Sequence, residues 1–218
     1  MWAVVPLKII QQSKQRLVPI LSPEERKLLS LNMLEDVLSA ATKSGVFEQI
    51  LVVTNCEEAL PLVESKGLLY FKTSEESGLN HAAKEAAEWL TTKNIKRMCL
   101  FPADIPLAKA AEFRQVVIDH NVPRGMTIVP SHDEGGTNCI MLSPPNLLSF
   151  CFGADSYVKH LRQGLELNLS CRTKFLEGIS LDIDTPNDLR ALVIGPKQTL
   201  TQNYLETIGI SSRLSQFL

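Results

Sequence analysis

Ile50-Leu51-Val52-Val53-Thr54 is a short apolar run with no polar interruption before its last residue. A strand exposed on one face alternates apolar and polar residues. A strand covered on both faces does not, and such strands belong to parallel sheets. Arg97-Met98-Cys99-Leu100-Phe101 reads the same way, and residues 2–7 read as a first strand. Further strands are predicted over 68–71, 125–130, 138–142 and 179–183. Longer amphipathic stretches separate them. Ser22-Pro23-Glu24-Glu25 opens a helix, with Ser22 as N-cap and Pro23 at the first helical position. Leu28, Leu31, Leu34, Leu38 and Ala41 recur at helical spacing and carry it to about Ser44. Helices are also predicted over 57–64, 79–92, 108–120, 155–165, 186–192 and, as the last, 198–208. The alternation predicts an α/β, Rossmann-like chain: a mixed, mostly parallel central sheet flanked by helices, in one domain over 1–218.

At 218 residues and 44% hydrophobic content the chain buries its own core without needing a disulfide or metal to fold. The net charge of −2 gives no broad basic footprint for nucleic acid. The five cysteines, Cys56, Cys99, Cys139, Cys151 and Cys171, are scattered and form no CxxC, as reduced thiols in a cytosol would. The first residues lack the layout of a secretion signal, and no apolar run reaches membrane-spanning length. A cytoplasmic protein is expected, without membrane or nucleic-acid partners.

In open parallel sheets, ligands bind beyond the carboxyl ends of the strands. Five segments there, or near there, carry chemistry. Residues 1–20 hold Lys8, Lys14 and Arg16 and no acidic side chain. Cations after a first strand suit a triphosphate, and Arg binds its oxygens in pairs; a solvated basic loop is the plain alternative. No GxxxxGK[ST] is present. Phe101-Pro102-Ala103-Asp104-Ile105-Pro106 ends a strand in a carboxylate, the ligand type Mg²⁺ takes beside phosphate oxygens. In Leu181-Asp182-Ile183-Asp184, extended backbone puts both carboxylates on one face and Ile183 on the other. Two such carboxylates repel unless a cation lies between them. Thr185-Pro186-Asn187-Asp188 is a helix start, which assigns Asp188 to capping. Gly135-Gly136-Thr137-Asn138 and Gly78-Leu79-Asn80 admit close backbone approach to a ligand, or are simple turns. In Phe152-Gly153-Ala154-Asp155-Ser156, Gly153, Ser156 and the helix start suit a phosphate, and His160 falls on the Ser156 face. His81, His120 and His132 lack metal-ligand spacing.

In their order and spacing these segments resemble the 2-phospho-L-lactate guanylyltransferases of deazaflavin coenzyme biosynthesis, over roughly residues 2 to 192. The resemblance implies a GT-A-like nucleotidyltransferase fold, related to sugar-phosphate nucleotidyltransferases. It implies transfer of GMP from GTP to 2-phospho-L-lactate, with release of pyrophosphate. It makes Asp104, Asp182 and Asp184 the Mg²⁺ ligands. Lys8 and Arg16 join Asp104 as catalytic groups; Lys14, Gly78 and Asn80 serve GTP; and Thr137, Gly153, Ser156 and His160 serve the phosphorylated acid. A homodimer is also implied, and the apolar end over 208–218 is one place for its interface. In Ser13-Lys14-Gln15-Arg16 the family commonly has Ser where Gln15 stands, so a hydroxyl is lost while both cations remain.

Phosphoenolpyruvate and 3-phosphoglycerate are alternative acceptors, too close in shape to separate by sequence. A molybdopterin or sugar-phosphate nucleotidyltransferase would carry a glycine-rich loop after the first strand, and this chain does not. A receiver domain would carry acidic residues there. A non-catalytic nucleotide-binding regulatory module would be marked by loss of one of the three Asp residues.

Overall fold

In the computed structural model every residue is described except Ile9, Gln11, Gln12, Ser13, Glu75, Glu76, Ser77, Phe217 and Leu218. The basic loop and the apolar end therefore lie partly outside the described residues, as does Ser13 of the motif above.

The first four strands are β1 (Trp2–Pro6), β2 (Gln49–Val53), β3 (Leu69–Phe71) and β4 (Met98–Leu100). Then come β5 (Gly125–Pro130), β6 (Thr137–Ser143) and β7 (Ser170–Thr173). They form one sheet in the order β3-β2-β1-β4-β6-β5-β7. β6 alone runs against its neighbours, antiparallel to β4 and β5; every other pair is parallel. The mixed, mostly parallel sheet expected from the sequence is the one found.

Alternation along the buried strands divides the core. Ala3, Val5, Ile50, Val52, Cys99 and Met141 face one side. There they meet Leu34, Val37 and Leu38 of α1 (Pro23–Ser44) and Phe113 and Val116 of α4 (Ala110–Asp119). Val4, Leu51, Val53, Leu100, Ile128 and Ile140 face the other. They meet the alanine stripe Ala83, Ala86 and Ala87 of α3 (Leu79–Thr92), and α5 (Ser156–Glu166) through Tyr157 and Leu161. Small residues on α3 let the helix lie close on the sheet. The short α2 (Leu60–Ser65) leads into β3.

A third cluster lies off the sheet. It joins Leu17 and Leu21 after the basic loop to Leu29 and Met33 of α1 and to Ile183. It also holds Leu189 and Leu192 of α7 (Pro186–Ile194), Leu205 of α8 (Leu200–Thr207), and Ile210 and Leu214 of α9 (Ile210–Ser215). This cluster ties the start of the chain to the acidic segment near its end.

The helix starts follow the sequence. Ser22 and Glu25 form a reciprocal capping box on α1, and Thr185 and Asp188 form one on α7. Two expectations fail. Residues 179–183 are not a strand: Glu177–Ser180 is one helical turn, α6, and the chain then continues without a sheet partner. Gly178 seats that turn so closely on Leu107 that an added Cβ would lie 2.2 Å from its carbonyl oxygen. The backbone that follows bonds to loops, His132 N–H to Ser180 O and Ile183 N–H to Asp104 O. The strand missed is β7, short, polar and at the sheet edge, where one-sided burial leaves no apolar run. The second failure is at the end of the chain: the helix expected over 198–208 is α8, Leu200–Thr207, but it is not the last, because Gly209 turns left-handed (φ 66°) and α9 follows.

Candidate active site

The chain leaves β1 toward β2 and β3, then crosses back to β4 on β1's other side. The crevice of such a sheet lies beyond the carboxyl ends of β1 and β4. Antiparallel β6 brings its first residues, Thr137 and Asn138, to that same edge, since Thr137 pairs with Pro130 at the end of β5.

Lys14 and the three Asp residues meet there. Lys14 stands in the left-handed region (φ 54°, ψ 38°) just before a 3-10 turn, Gln15–Leu17, whose Leu17 is locked into the third cluster. For a lysine this conformation costs about 1–2 kcal/mol. It aims the ammonium inward, with Nζ 2.5 Å from Asp104 Oδ2 and 2.7 Å from Asp184 Oδ1. Burial pulls the Lys14 pKa down, but Asp104 and Asp184 outweigh it and hold the ammonium above its ordinary value. Burial pushes the Asp184 carboxyl up, and Lys14, with Arg16 and Lys8 behind it, brings it below the usual range.

Asp182 differs. Burial raises it, the Asn138 amide partly offsets this, and the negative charges of Asp104 and Asp184 raise it further. Asn138 Nδ2 donates to Asp182 Oδ1 at 3.0 Å and also to the carbonyls of Ile179 and Ser180. Ile183, between the two Asp residues, is fully buried in the third cluster. The side-to-side division expected for 182–184 is thus present without a strand.

Carboxylates are the donor type a divalent cation takes beside phosphate oxygens. Three carboxylates converge on one crevice, a cationic ammonium already bridges two of them, and the third remains short of positive charge. As the side chains are placed, no group of three or more His, Cys, Asp and Glu among the described residues could hold a metal ion. Lys14 takes the position between Asp104 and Asp184 instead.

A second, neutral polar cluster adjoins this one through neighbouring Thr137 and Asn138. Ser156 Oγ lies 3.2 Å from Thr137 Oγ1, and His160 Nδ1 lies 3.1 Å from the same oxygen. Gly153 has φ 117°, a conformation that favours glycine, and among the described residues beyond its two chain neighbours no heavy atom lies within 4 Å of where a Cβ would stand. Asp155, the N-cap of α5, is also left-handed (φ 57°), and its side chain makes no cap hydrogen bond. Gly78, at the N-cap of α3, has no side chain to cap that helix. Uncapped helix starts present amides and positive dipole ends to anions.

Two of these residues are placed otherwise than their sequence readings suggested. His160, read as a substrate contact, has no solvent exposure and both ring nitrogens are bonded within the protein. Asn80, read as a GTP contact, spends its amide on one backbone residue: Phe152 N–H donates to Oδ1 at 2.6 Å and Nδ2 donates to Phe152 O at 3.2 Å. Gln163, which sequence reasoning missed, does the same to Ser149. Between them, Cys151 N–H donates to His160 Nε2. The 149–152 segment is thus held by side chains of two helices. A lone amide on a helix gives no sequence signal for that role.

Known proteins resemble this chain along nearly its whole length. Residues 1–217 match the family described as guanylyl transferase CofC like. A 2-phospho-L-lactate guanylyltransferase from Methanocaldococcus vulcanius is 36% identical, over 96% of this chain and 92% of that one. A 3-phospho-D-glycerate guanylyltransferase from Colwellia psychrerythraea is 33% identical, over 88% of this chain and 90% of its own. Among solved structures, a chain from Desulfovibrio desulfuricans described as a nucleotide-diphospho-sugar transferase superposes with a TM-score of 0.78 at 16% identity, covering 99% of this chain and 97% of that one. The last likeness concerns fold alone. Taken with the match along nearly its whole length, the chain belongs to the CofC-like guanylyl transferase family.

Proposed function

We propose that this chain, acting as one nucleotidyltransferase domain, transfers GMP from GTP to 2-phospho-L-lactate and releases pyrophosphate, forming lactyl-2-diphospho-5′-guanosine for a deazaflavin coenzyme. The observation that carries the reading is the junction of two unlike subsites on adjacent residues. Asn138 holds Asp182 of the carboxylate trio, and Thr137 belongs to the neutral hydroxyl cluster under the start of α5. A cation-dependent triphosphate site and an anion site side by side are what joining two phosphates requires.

Asp104, Asp182 and Asp184 would hold Mg²⁺. When bound, the ion screens the charge of the triphosphate and stabilises the departing pyrophosphate. Lys14 keeps Asp104 and Asp184 together before the nucleotide arrives, then pairs with phosphate oxygens alongside Lys8 and Arg16. Thr137, Ser156 and the backbone at Gly153 hold the acceptor. Its phosphate oxygen attacks the α-phosphorus as the bond to pyrophosphate breaks on the opposite side. A phosphate monoester has a second pKa of about 6, so it is largely dianionic at neutral pH and needs no general base. Neutralised charge and fixed geometry supply the rate. A cytoplasmic homodimer completes the reading.

The chain's likeness to a 3-phospho-D-glycerate guanylyltransferase and to a phosphoenolpyruvate guanylyltransferase from Sphaerobacter thermophilus makes those acids the rival acceptors. Pyrophosphate release is measured with Mg²⁺, GTP and each acid in turn. The expected outcome is turnover with 2-phospholactate well above the other two. Faster turnover with another acid would reassign the acceptor. No release with any acid, despite GTP binding, would overturn catalysis in favour of a regulatory nucleotide-binding module.

A further inference from the structure

We propose that His160 is a positioning residue that fixes which way the Thr137 and Ser156 hydroxyls point, so that the acceptor pocket presents a hydrogen-bond donor rather than an acceptor. The inference rests on the reading of Thr137 and Ser156 as acceptor-binding residues and assigns a role one layer behind them.

It begins with the backbone of Cys151. Its N–H donates to His160 Nε2 at 3.2 Å. A backbone amide only donates, so Nε2 must be unprotonated. In a neutral ring the proton then sits on Nδ1. Full burial keeps the ring neutral, and the face it turns to Phe152 is apolar, with centroids 5.1 Å apart at 70°. No charged side chain is bonded to it among the described residues. Nδ1–H therefore donates to Thr137 Oγ1, 3.1 Å away.

Counting protons gives the consequence. His160 Nδ1–H, Thr137 O–H and Ser156 O–H are three donors. They form two bonds among themselves, His160 to Thr137 and Thr137 with Ser156. One hydroxyl proton is left over whichever way the second bond runs. Ser156 donates to Thr137, which fills both Thr137 lone pairs and leaves the Thr137 proton as the free one. Among the described residues nothing accepts it. Thr137 is 7% exposed at the crevice edge, beside Asn138. The free proton thus suits an anionic oxygen there, a phosphate or a carboxylate. With the other tautomer, Nδ1 would accept the Thr137 proton and the Cys151 amide would be orphaned inside the protein, which costs too much to populate. The backbone of 149–152 thereby sets the polarity of the pocket through one ring.

Two variants and one spectrum test this. In His160→Asn the amide donor replaces Nδ1–H, while in His160→Gln the amide oxygen replaces the Nε2 acceptor and the donation to Thr137 is lost. The expectation for His160→Gln is a rise of about tenfold to thirtyfold in the KM of the acceptor acid, as for loss of one hydrogen bond to a charged group. The KM of GTP should be unchanged, and His160→Asn should fall between Gln and wild type. In a Thr137→Val background His160→Gln should add nothing further, because its effect runs through Thr137. Equal shifts in both KM values, tracking thermal stability, would reduce His160 to a packing residue and overturn the inference. If the variants do not fold, long-range ¹H–¹⁵N spectra of histidine-labelled wild type decide: a neutral Nδ1–H ring for His160 at neutral pH supports it, and an Nε2–H or charged ring refutes it. Absence of guanylyl transfer by the wild type would be a different failure, that of the proposed reaction.

Discussion

The ladder of β5 and β6 carries a buried histidine at each end, and the two rings have opposite consequences. His120 lies at the end where Gly125 pairs with Ser143; His160 lies at the end where Pro130 pairs with Thr137. Both are almost wholly inaccessible, and each sits about 3 Å from a β-strand hydroxyl. Burial brings both to about 4, aided at His120 by the positive charges of Arg97 and Arg172. By burial and pKa alone they are twins. The difference lies in their partners. His120 bonds two hydroxyls, Thr127 Oγ1 at 3.0 Å and Ser143 Oγ at 2.8 Å, either of which can rotate to suit either tautomer. His160 bonds one hydroxyl and one backbone amide, and the amide cannot adapt. A histidine between two rotors only fills space and satisfies them. A histidine between a fixed donor and a rotor dictates what the rotor does.

The largest effect should come from the Lys14 bridge between two carboxylates at the active end. Replacing Lys14 with Met removes the ammonium that bridges Asp104 and Asp184 and, by the proposed mechanism, a cation on the triphosphate. A preorganised electrostatic contact of this kind is worth about 10²- to 10³-fold in kcat. Steady-state pyrophosphate release measures it, with circular dichroism checking that the fold is intact. A loss below tenfold would mean that Lys14 is a structural bridge and that the active end does not differ electrostatically from its opposite.

Next comes the quiet end. His120→Leu leaves Thr127 and Ser143 without their ring partner and should destabilise by about 1–3 kcal/mol in urea unfolding at pH 7. Both KM values should stay at wild type. The sign of the pH dependence follows from the depressed pKa. The unfolded histidine takes up a proton near its ordinary 6.5, while the folded one resists until about 4. The unfolded state therefore binds more protons in that window, and the His120 contribution to stability falls as pH drops from about 6.5 toward 4. The leucine variant lacks this loss, so its deficit relative to wild type should narrow from pH 7 to pH 5. A constant deficit would mean that the ring is charged or exposed in the folded state. A raised acceptor KM would erase the distinction between the two ends.

Much of this contrast was legible in the sequence, though unevenly. Runs buried on both faces announced β1, β2 and β4, and capping residues announced α1 and α7, because local chemistry alone specifies them. Asp104 at a strand end and the Asp182/Asp184 pair on one face were legible separately; the family resemblance joined them, and the structure brings Lys14 to Asp104 and Asp184. What could not be read depended on distant partners. Ile179 to Ile183 looks like a strand until Gly178 is found against Leu107. Ser170–Thr173 looks like a loop until β5 pairs with it. His160 looks like a substrate contact beside Ser156 until Cys151, nine positions earlier, presents its amide. Asn80 shows the same limit. A glycine and an asparagine at a helix start suggest a nucleotide contact, yet the side chain reaches across to a residue 72 positions away.

Asn80 gives the finest test, because the two readings of it predict effects on different substrates. Its amide holds both polar groups of Phe152 from the first turn of α3. Phe152 in turn packs edge-on against His160 and leads into Gly153. Asn80→Ala removes two hydrogen bonds at a partly exposed site, worth about 1 kcal/mol together after water replaces them. That cost falls on the segment that carries the Cys151 amide and hence on the acceptor pocket. A rise of about fivefold in the acceptor KM is expected from an energy of that size, with the KM of GTP unmoved. Had Asn80 bound the nucleotide, the opposite split would appear. Gln163→Ala, which frees Ser149 and also removes the 3.3 Å bond from Gln163 Nε2 to Cys151 Sγ, should act in the same direction. If both variants shift only GTP, the amide clamps are incidental and the hydroxyl pair is oriented without help from 149–152. If both shift only the acceptor, the active end of the ladder owes its polarity to a short backbone segment that never touches the substrate.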